Sequence, residues 1–287
     1  MQDITNAILA WYKQNKRNLP WRKTTDPYKI MVSEMMLQQT QVDRVIPKYN
    51  NFIQQFPTAK SLAQASQHEL LEAWFGLGYN RRALNLQKAA QILQHDCPKT
   101  VTGLKQLPGI GLYTARAILA FAFNKKVHVL DTNVKRVFSR IFPQTKKYSD
   151  NEWLAFLEQF IPQDAQNYNN AIMEFGALQC TKKPHCEICP MQKYCDAFKN
   201  KTQDNYWQPP KQSTFKGSKR WYRSKILKML HNESLTQKQI EKRLDKEFFT
   251  KYTTHEVIET LVKDGFINKE GSMYKLKECQ TIHESKS

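Results

Sequence analysis

The chain has 287 residues, 40% apolar and 11% aromatic, which suits one or two globular domains and excludes a disordered polypeptide. Lys and Arg number 44 against 26 Asp and Glu, a formal net charge of +18, which favours a polyanionic partner and most simply nucleic acid. No apolar run approaches a membrane span, the opening MQDITNAILAWYKQ is no signal peptide, and the six cysteines do not read as a disulfide framework; a cytoplasmic protein without a membrane partner is expected.

Residues 3–16 are expected to form an amphipathic helix with Ile4, Ala7, Ile8 and Trp11 on one face. Leu19-Pro20-Trp21-Arg22 reads as an extended link. Asp26-Pro27 is a helix start, with Asp as N-cap and Pro at the first helical position. The stretch YKIMVSEMMLQQTQVDRVIPKY reads as one helix, with Glu34 set among Met31, Met35 and Met36. A carboxylate in that company is either on the wet side of the helix or held in an apolar cleft. Gln38, Gln39, Thr40 and Gln41 form a polar block, either an exposed turn or a hydrogen-bonding edge. Ser66-x-x-Glu69 is a capping box opening the next helix. Gly76-Leu77-Gly78-Tyr79 ends it, and Asn80-Arg81-Arg82 starts another; glycines, an aromatic and two arginines suit phosphate contacts and stacking, or an ordinary turn.

Residues 104–136 organise the chain. They read as helix, tight turn, helix, short extended link and the start of a third helix. Pro108, Gly109 and Gly111 crowd one turn, where glycine allows positive φ and close backbone approach. A helix opens directly from Leu112, and its N-terminus suits a phosphate. Asp131 stands at the mouth of the third helix as a favoured N-cap, where the helix dipole helps keep it ionised. Taken alone, the stretch is equally a glycine-rich helix link with a capping Asp.

Further on, Ser149-x-x-Glu152 is a capping box, and NYNNAIMEFGALQC is helical and runs into Cys180. The cysteines follow as Cys180-x5-Cys186-x2-Cys189-x5-Cys195. A zinc site usually pairs two short Cys-x2-Cys clips, whereas one clip flanked by single cysteines better suits an iron–sulfur cluster. Cys97 and Cys279 fall outside the block. Residues 199–218, with Pro209-Pro210, read as a linker. Residues 219–280 then form a small domain. It has a helix in WYRSKILKMLHN, a second capped by Thr236-x-x-Gln239, a third capped by Thr253-x-x-Glu256, and a hairpin turning at Glu270-Gly271. Three helices and a hairpin resemble a winged helix, a module that commonly binds DNA or serves as a docking domain.

In order and spacing, LPWR, DPYKIMVSEMMLQQTQVDRVIP, GLGYNRRALNL, LPGIGLYTARAI, VLDTNVKRV and the four-cysteine loop closely resemble adenine DNA glycosylases of the MutY type, in the endonuclease III superfamily. The resemblance covers residues 1–198. It implies an all-α class: a two-subdomain helix–hairpin–helix glycosylase with an iron–sulfur loop, followed here by the winged-helix-like domain. By position, it implies Glu34 as general acid and Asp131 as essential carboxylate, with Asn133 beside it. Tyr113 occupies the place where bifunctional relatives hold a Schiff-base Lys. Gln38 and Tyr79 would enter the base stack, with Gln39 and Arg81 beside them at the DNA. Trp21 and Arg22 would line the base pocket, and Pro108, Gly109 and Gly111 would grip the backbone. Cys180, Cys186, Cys189 and Cys195 would carry a [4Fe–4S] cluster.

The implied activity is monofunctional. Adenine opposite 8-oxoguanine or guanine is flipped out of double-stranded DNA and its N-glycosidic bond is hydrolysed, by a protein expected to be a monomer. The chain departs from the family pattern in three ways. Its first cysteine interval is five residues, not six. Asn170 stands where well-known members place Gln or Glu against the base. The winged-helix-like tail occupies the place of a Nudix-like domain. A mismatch thymine or uracil glycosylase, or a non-catalytic DNA-binding protein, are the competing readings.

Overall fold

The computed structural model describes residues 2–143, 147–204, 206–208, 214–244 and 252–277; Cys279 and the Pro209-Pro210 pair lie outside them. The chain divides into two compact units, Met1–Glu34 with Cys97–Pro210, and Met35–Asp96 with Lys211–Ser287.

In the first unit, α1 (Gln2–Asn15) buries Ile4, Ile8 and Tyr12, a stripe one helical turn apart, against α11 (Ala165–Leu178). Residues 20–23 form a 3-10 turn rather than the expected extended link, because Pro20 fixes φ at the first position and Arg22 N–H closes onto Leu19 C=O. Helix α2 (Pro27–Leu37) starts as anticipated, with the Asp26 carboxylate accepting from Tyr28 N–H at 2.9 Å. A five-residue helix, α7 (Val101–Lys105), leads through the Pro108-Gly109 turn into α8 (Leu112–Phe123). Ala115, Ala117, Ile118, Leu119 and Ala120 are all buried, so α8 is apolar nearly all round and runs through the core. Asn124, in the left-handed region at φ 47°, ends it. An extended link then reaches α9 (Thr132–Ile141), capped by Asp131, and α10 (Asp150–Leu157) opens from the predicted Ser149–Glu152 box. Val134, Val137, Phe138 and Ile141 meet Tyr168, Ile172 and Phe175 in one core. Each such side chain contributes about 1.5–3 kcal/mol by leaving water.

In the second unit, the helix read as continuous from Tyr28 to Tyr49 is broken. Helix α2 ends at Leu37 and α3 (Val42–Gln55) begins after a turn in which Gln39 adopts φ 57°. The polar block breaks the helix because Thr40 N–H turns back to Leu37 C=O. Helices α4 (Ala59–Gln64), α5 (Gln67–Trp74) and α6 (Arg81–Leu93) follow, the first two each opened by a complete capping box. Within the same unit lie α13 (Lys219–Asn232), α14 (Gln237–Arg243) and α15 (Thr254–Lys263), preceded in the first unit by the short α12 (Asp196–Lys199). The hairpin of β2 (Ile267–Glu270) and β3 (Met273–Leu276) gains a third strand, β1 (Leu235–Thr236), in the order β1-β3-β2, all antiparallel. At two residues, β1 was too short to show an alternation in sequence. The Gln67 amide on α5 donates to Gly265 C=O at 3.3 Å and Phe266 C=O at 3.2 Å, fastening the tail to the α3–α6 layer.

Candidate active site

Glu34 lies near the end of the part of α2 that belongs to the first unit, 3% exposed. Tyr113, second residue of α8, donates a hydrogen bond from its phenol to the Glu34 carboxylate. The other oxygen, Oε2, is buried and has no hydrogen-bond partner. Burial pushes the Glu34 carboxyl up to about 7; the Tyr113 hydrogen bond and the Arg22 charge oppose this, and the Asp131 charge reinforces it. The Tyr113 phenol is raised well above its usual value by burial and by the two carboxylates.

Asp131 is the N-cap of α9. Its Oδ1 accepts Val134 N–H at 2.7 Å and its Oδ2 accepts the Asn133 amide at 2.8 Å. Burial pushes this carboxyl up as well, while those hydrogen bonds and the Arg136 charge hold it down. The dipole argument made from sequence is therefore only one side of the balance. Both Asp131 oxygens accept hydrogen bonds that favour the anion, whereas one Glu34 oxygen accepts none. Of the two carboxyls, Glu34 is the one built to carry a proton near neutrality.

Asn133 is held in turn. Arg136 Nη2 donates to Asn133 Oδ1 at 2.7 Å and to Gly176 C=O at 2.5 Å, and its Nε donates to Cys180 C=O at 2.8 Å. A hydrogen-bonded path thus runs from Asp131 through Asn133 and Arg136 to the cysteine loop. Helix α11 presses against it: a Cβ on Gly176 would stand 2.7 Å from the Asn133 Cβ. Arg22 Nε donates to Asn170 Oδ1 at 3.2 Å, and its guanidinium also pairs with Glu174 at 2.9 Å. Burial would raise the Glu174 carboxyl, but hydrogen bonds from Arg17 and Arg22 outweigh it and bring the group down to about 2. Trp21, next to Arg22, is buried.

In the turn before α8, Gly109 takes φ 79° and needs glycine, whereas Gly111 is extended and no atom lies within 4 Å of a Cβ placed there. Gly111 offers α8 no side-chain cap, and the half-buried Pro108 stands in the same turn.

Cys180, Cys186, Cys189 and Cys195 line one pocket with Arg140, His185 and Met191. No disulfide joins the described cysteines. Burial pushes the Cys189 thiol up to about 12 and raises Cys186 and Cys195, each reinforced by the neighbouring sulfurs. Four thiolates gathered in such a place require a strongly positive centre among them. Arg140, 1% exposed, frames the loop: it donates to the Cys180 sulfur at 3.4 Å, Thr181 C=O at 2.6 Å and Lys182 C=O at 3.1 Å. Cys97 does not line this pocket.

In the second unit, Gln38, Gln39 and Tyr79 sit on two turns, and Arg81 opens α6 just after the second; Gln39 takes φ 57° and Tyr79 φ 50°. Both are left-handed without being glycine, a strained conformation that recurs at ligand-contacting sites. One buried guanidinium joins the turns. Arg82 donates to Met35, Met36 and Gln38 carbonyls at 2.7, 3.0 and 2.6 Å, and to Leu77 and Gly78 carbonyls at 3.1 and 3.0 Å. The reading of both arginines as phosphate contacts is thus corrected: Arg82 is consumed by carbonyls, and Arg81 alone is exposed, with a 3.6 Å pair to Asp264. Arg136, Arg140 and Glu174 were missed from sequence, and Arg82 was noticed in the wrong role. The spacing of Arg136 and Arg140, one turn apart on α9, was the signal available for two of them.

The family model described as HhH-GPD superfamily base excision DNA repair protein matches residues 32–163. The adenine DNA glycosylase of Buchnera aphidicola subsp. Schizaphis graminum is 36% identical over 257 residues, covering 86% of this chain and 73% of that protein. The adenine DNA glycosylase of Mycobacterium tuberculosis is 33% identical over 278 residues, covering 91% and 89%. Among solved structures, a thermostable thymine-DNA glycosylase matches with a TM-score of 0.65 and 28% identity, over 69% of this chain and 95% of that one.

Proposed function

The chain belongs to the adenine DNA glycosylases of the HhH-GPD superfamily, and on that premise we propose that its substrate is adenine mispaired with 8-oxoguanine or guanine in duplex DNA. It is a monofunctional base-excision repair glycosylase with an all-α helix–hairpin–helix fold. The observation that carries the site assignment is the unequal pair: Glu34 with a bare buried oxygen and a pKa near 7, beside Asp131 with both oxygens hydrogen-bonded.

The target adenine must leave the stack to be reached. Glu34 Oε2 gives its proton to N7 of the flipped base. The C1′–N9 bond then breaks with its electron pair going to the base, and positive charge develops on the sugar. Ionised Asp131 stabilises that oxocarbenium-like centre, as a carboxylate does in sugar hydrolysis. Water adds to C1′, its proton passes to a carboxylate, and neutral adenine and an abasic site remain. Asn133 keeps Asp131 in place, and Tyr113 holds Glu34 through one oxygen and leaves the other for the base. A phenol forms no Schiff base, so the strand stays intact. Arg22, Asn170 and Trp21 form the wall on which the base is read. Gln38, Gln39, Tyr79 and Arg81 enter or flank the stack, and the Pro108–Gly111 turn takes a phosphate at the α8 N-terminus.

The donor set and buried setting of Cys180, Cys186, Cys189 and Cys195 fit a [4Fe–4S] cluster, the five-residue first interval notwithstanding, since all four line one pocket. The cluster would supply the positive charge that four thiolates need, and so fix the loop that receives Arg136 and Arg140. The domain plan is residues 1–198 as glycosylase, 199–218 as linker and 219–280 as winged-helix-like module, working as a monomer on double-stranded DNA. Among the described residues no helix is long and apolar enough to cross a membrane. The test is excision from a panel of duplexes, A:8-oxoG, A:G, T:G and U:G. Release of adenine from the first two supports the reading, and release of thymine or uracil alone overturns it.

A further inference from the structure

The tail helix α13 turns one face toward α6: Arg220, Arg223, Ser224 and Leu227 recur at helical spacing and line an open groove of about 300 Å³ with Tyr79, Asn80, Arg81 and Asn85. The Arg220 guanidinium lies 4.8 Å from the ring centroid of Tyr79 and that of Arg82 lies 5.3 Å from it, so two cations stand against the ring. Asp264 pairs with Arg223 at 2.7 Å and with Arg81 at 3.6 Å. At the groove's base α6, 13 residues long, begins at Arg81, and its N-cap Asn80 makes no side-chain cap hydrogen bond. The groove therefore combines guanidinium groups with amide and hydroxyl side chains, a set suited to sugar–phosphate backbone. The left-handed Tyr79 on its rim marks the turn already assigned to the duplex.

We propose that α13 completes a DNA-backbone site over the N-terminus of α6, with Arg220 as the tail's principal phosphate contact and as a positioning residue for Tyr79. The proposal rests on the glycosylase reading for the identity of the polyanion as duplex DNA, and on nothing in the chemistry of excision. It makes the tail part of the reading head and not merely an added basic domain.

Binding of the full-length, cluster-loaded protein to an A:8-oxoG duplex and to a fully paired duplex is followed by fluorescence anisotropy between about 50 and 200 mM salt. Arg220→Ala should weaken binding to both duplexes and lower the slope of log K against log salt by about one unit. Arg220→Lys should restore the slope, since it keeps the charge. Ser224→Asp, which places an anion in the same groove, should weaken binding several-fold. Arg243→Ala, on the tail but paired with Glu233 at 2.6 Å and outside the groove, should leave both affinity and slope unchanged. Wild-type slopes in Arg220→Ala and Ser224→Asp proteins that keep the native thermal midpoint would overturn the proposal. Excision by the wild-type protein is read separately: if it releases no adenine while the Arg220 slope still drops, the groove stands and the substrate assignment fails.

Discussion

Glu34→Gln tests the site most sharply, because it should raise stability while it abolishes activity. Moving a carboxyl from its ordinary 4.5 to about 7 corresponds to about 3 kcal/mol against the ionised folded state, at roughly 1.4 kcal/mol per decade. The folded pKa is raised, so the contribution of neutral Glu34 is fully present below 4.5 and is lost as pH rises to about 7. Gln mimics the neutral acid and does not titrate. The stability difference between mutant and wild type should therefore grow by roughly 1.4 kcal/mol per pH unit through that window and level off near 3 kcal/mol above it. Urea unfolding of both holoproteins across the window measures this difference, in which all other titrating groups cancel. The same proton governs chemistry: wild-type single-turnover excision should fall by about tenfold per pH unit above 7, and Glu34→Gln should lose at least ~10²-fold in rate. A stability difference that stays flat with pH, or near-native excision by the mutant, would refute the argument that a buried, half-bonded Glu34 is the acid.

Asp131→Asn keeps the cap's shape but removes the charge facing the sugar; excision should drop by roughly 10²–10³ with duplex binding retained, measured by single-turnover kinetics beside anisotropy. The native enzyme should bind but not cleave 7-deaza-adenine, which has no N7 to protonate, and rapid cleavage of that base would contradict the role given to Glu34. Purified protein should be brown, with iron and sulfide each near about four per chain; zinc without sulfide in anaerobic preparations would contradict the cluster. Borohydride should trap no covalent enzyme–DNA complex, and the product strand should break only on alkali or heat, because Tyr113 offers no amine.

Much of this site was legible in sequence because its parts are local. Asp131 caps the helix that contains its own hydrogen-bond donors, Val134 N–H and Asn133, three and two residues away. The capping boxes at Ser66, Ser149, Thr236 and Thr253 are likewise local, and all four form. What stayed hidden depends on partners far along the chain. Arg82 looked like a surface cation until the carbonyls of residues 35–38, over forty positions away, closed on it. Glu174, in an apolar helical run, is explained only by Arg17 and Arg22. The break of α2 at Leu37 was misread because the apolar period continues across it, while the chain reverses through the left-handed Gln39.

Gly176 carries a consequence for how this protein can diverge. The methyl group it lacks would fall on Asn133, and Asn133 is committed to Asp131 on one side and Arg136 on the other. Elsewhere in a core, a larger residue at one position is commonly accommodated by a smaller one opposite. Here the opposite position has no such latitude: shrinking Asn133 to make room would cut the amide from the carboxylate it orients. The pair is closed to reciprocal drift, so an Ala at position 176 has no single second-site remedy across the interface. A helix-packing contact with no atom in the reaction is in this way inherited together with the chemistry.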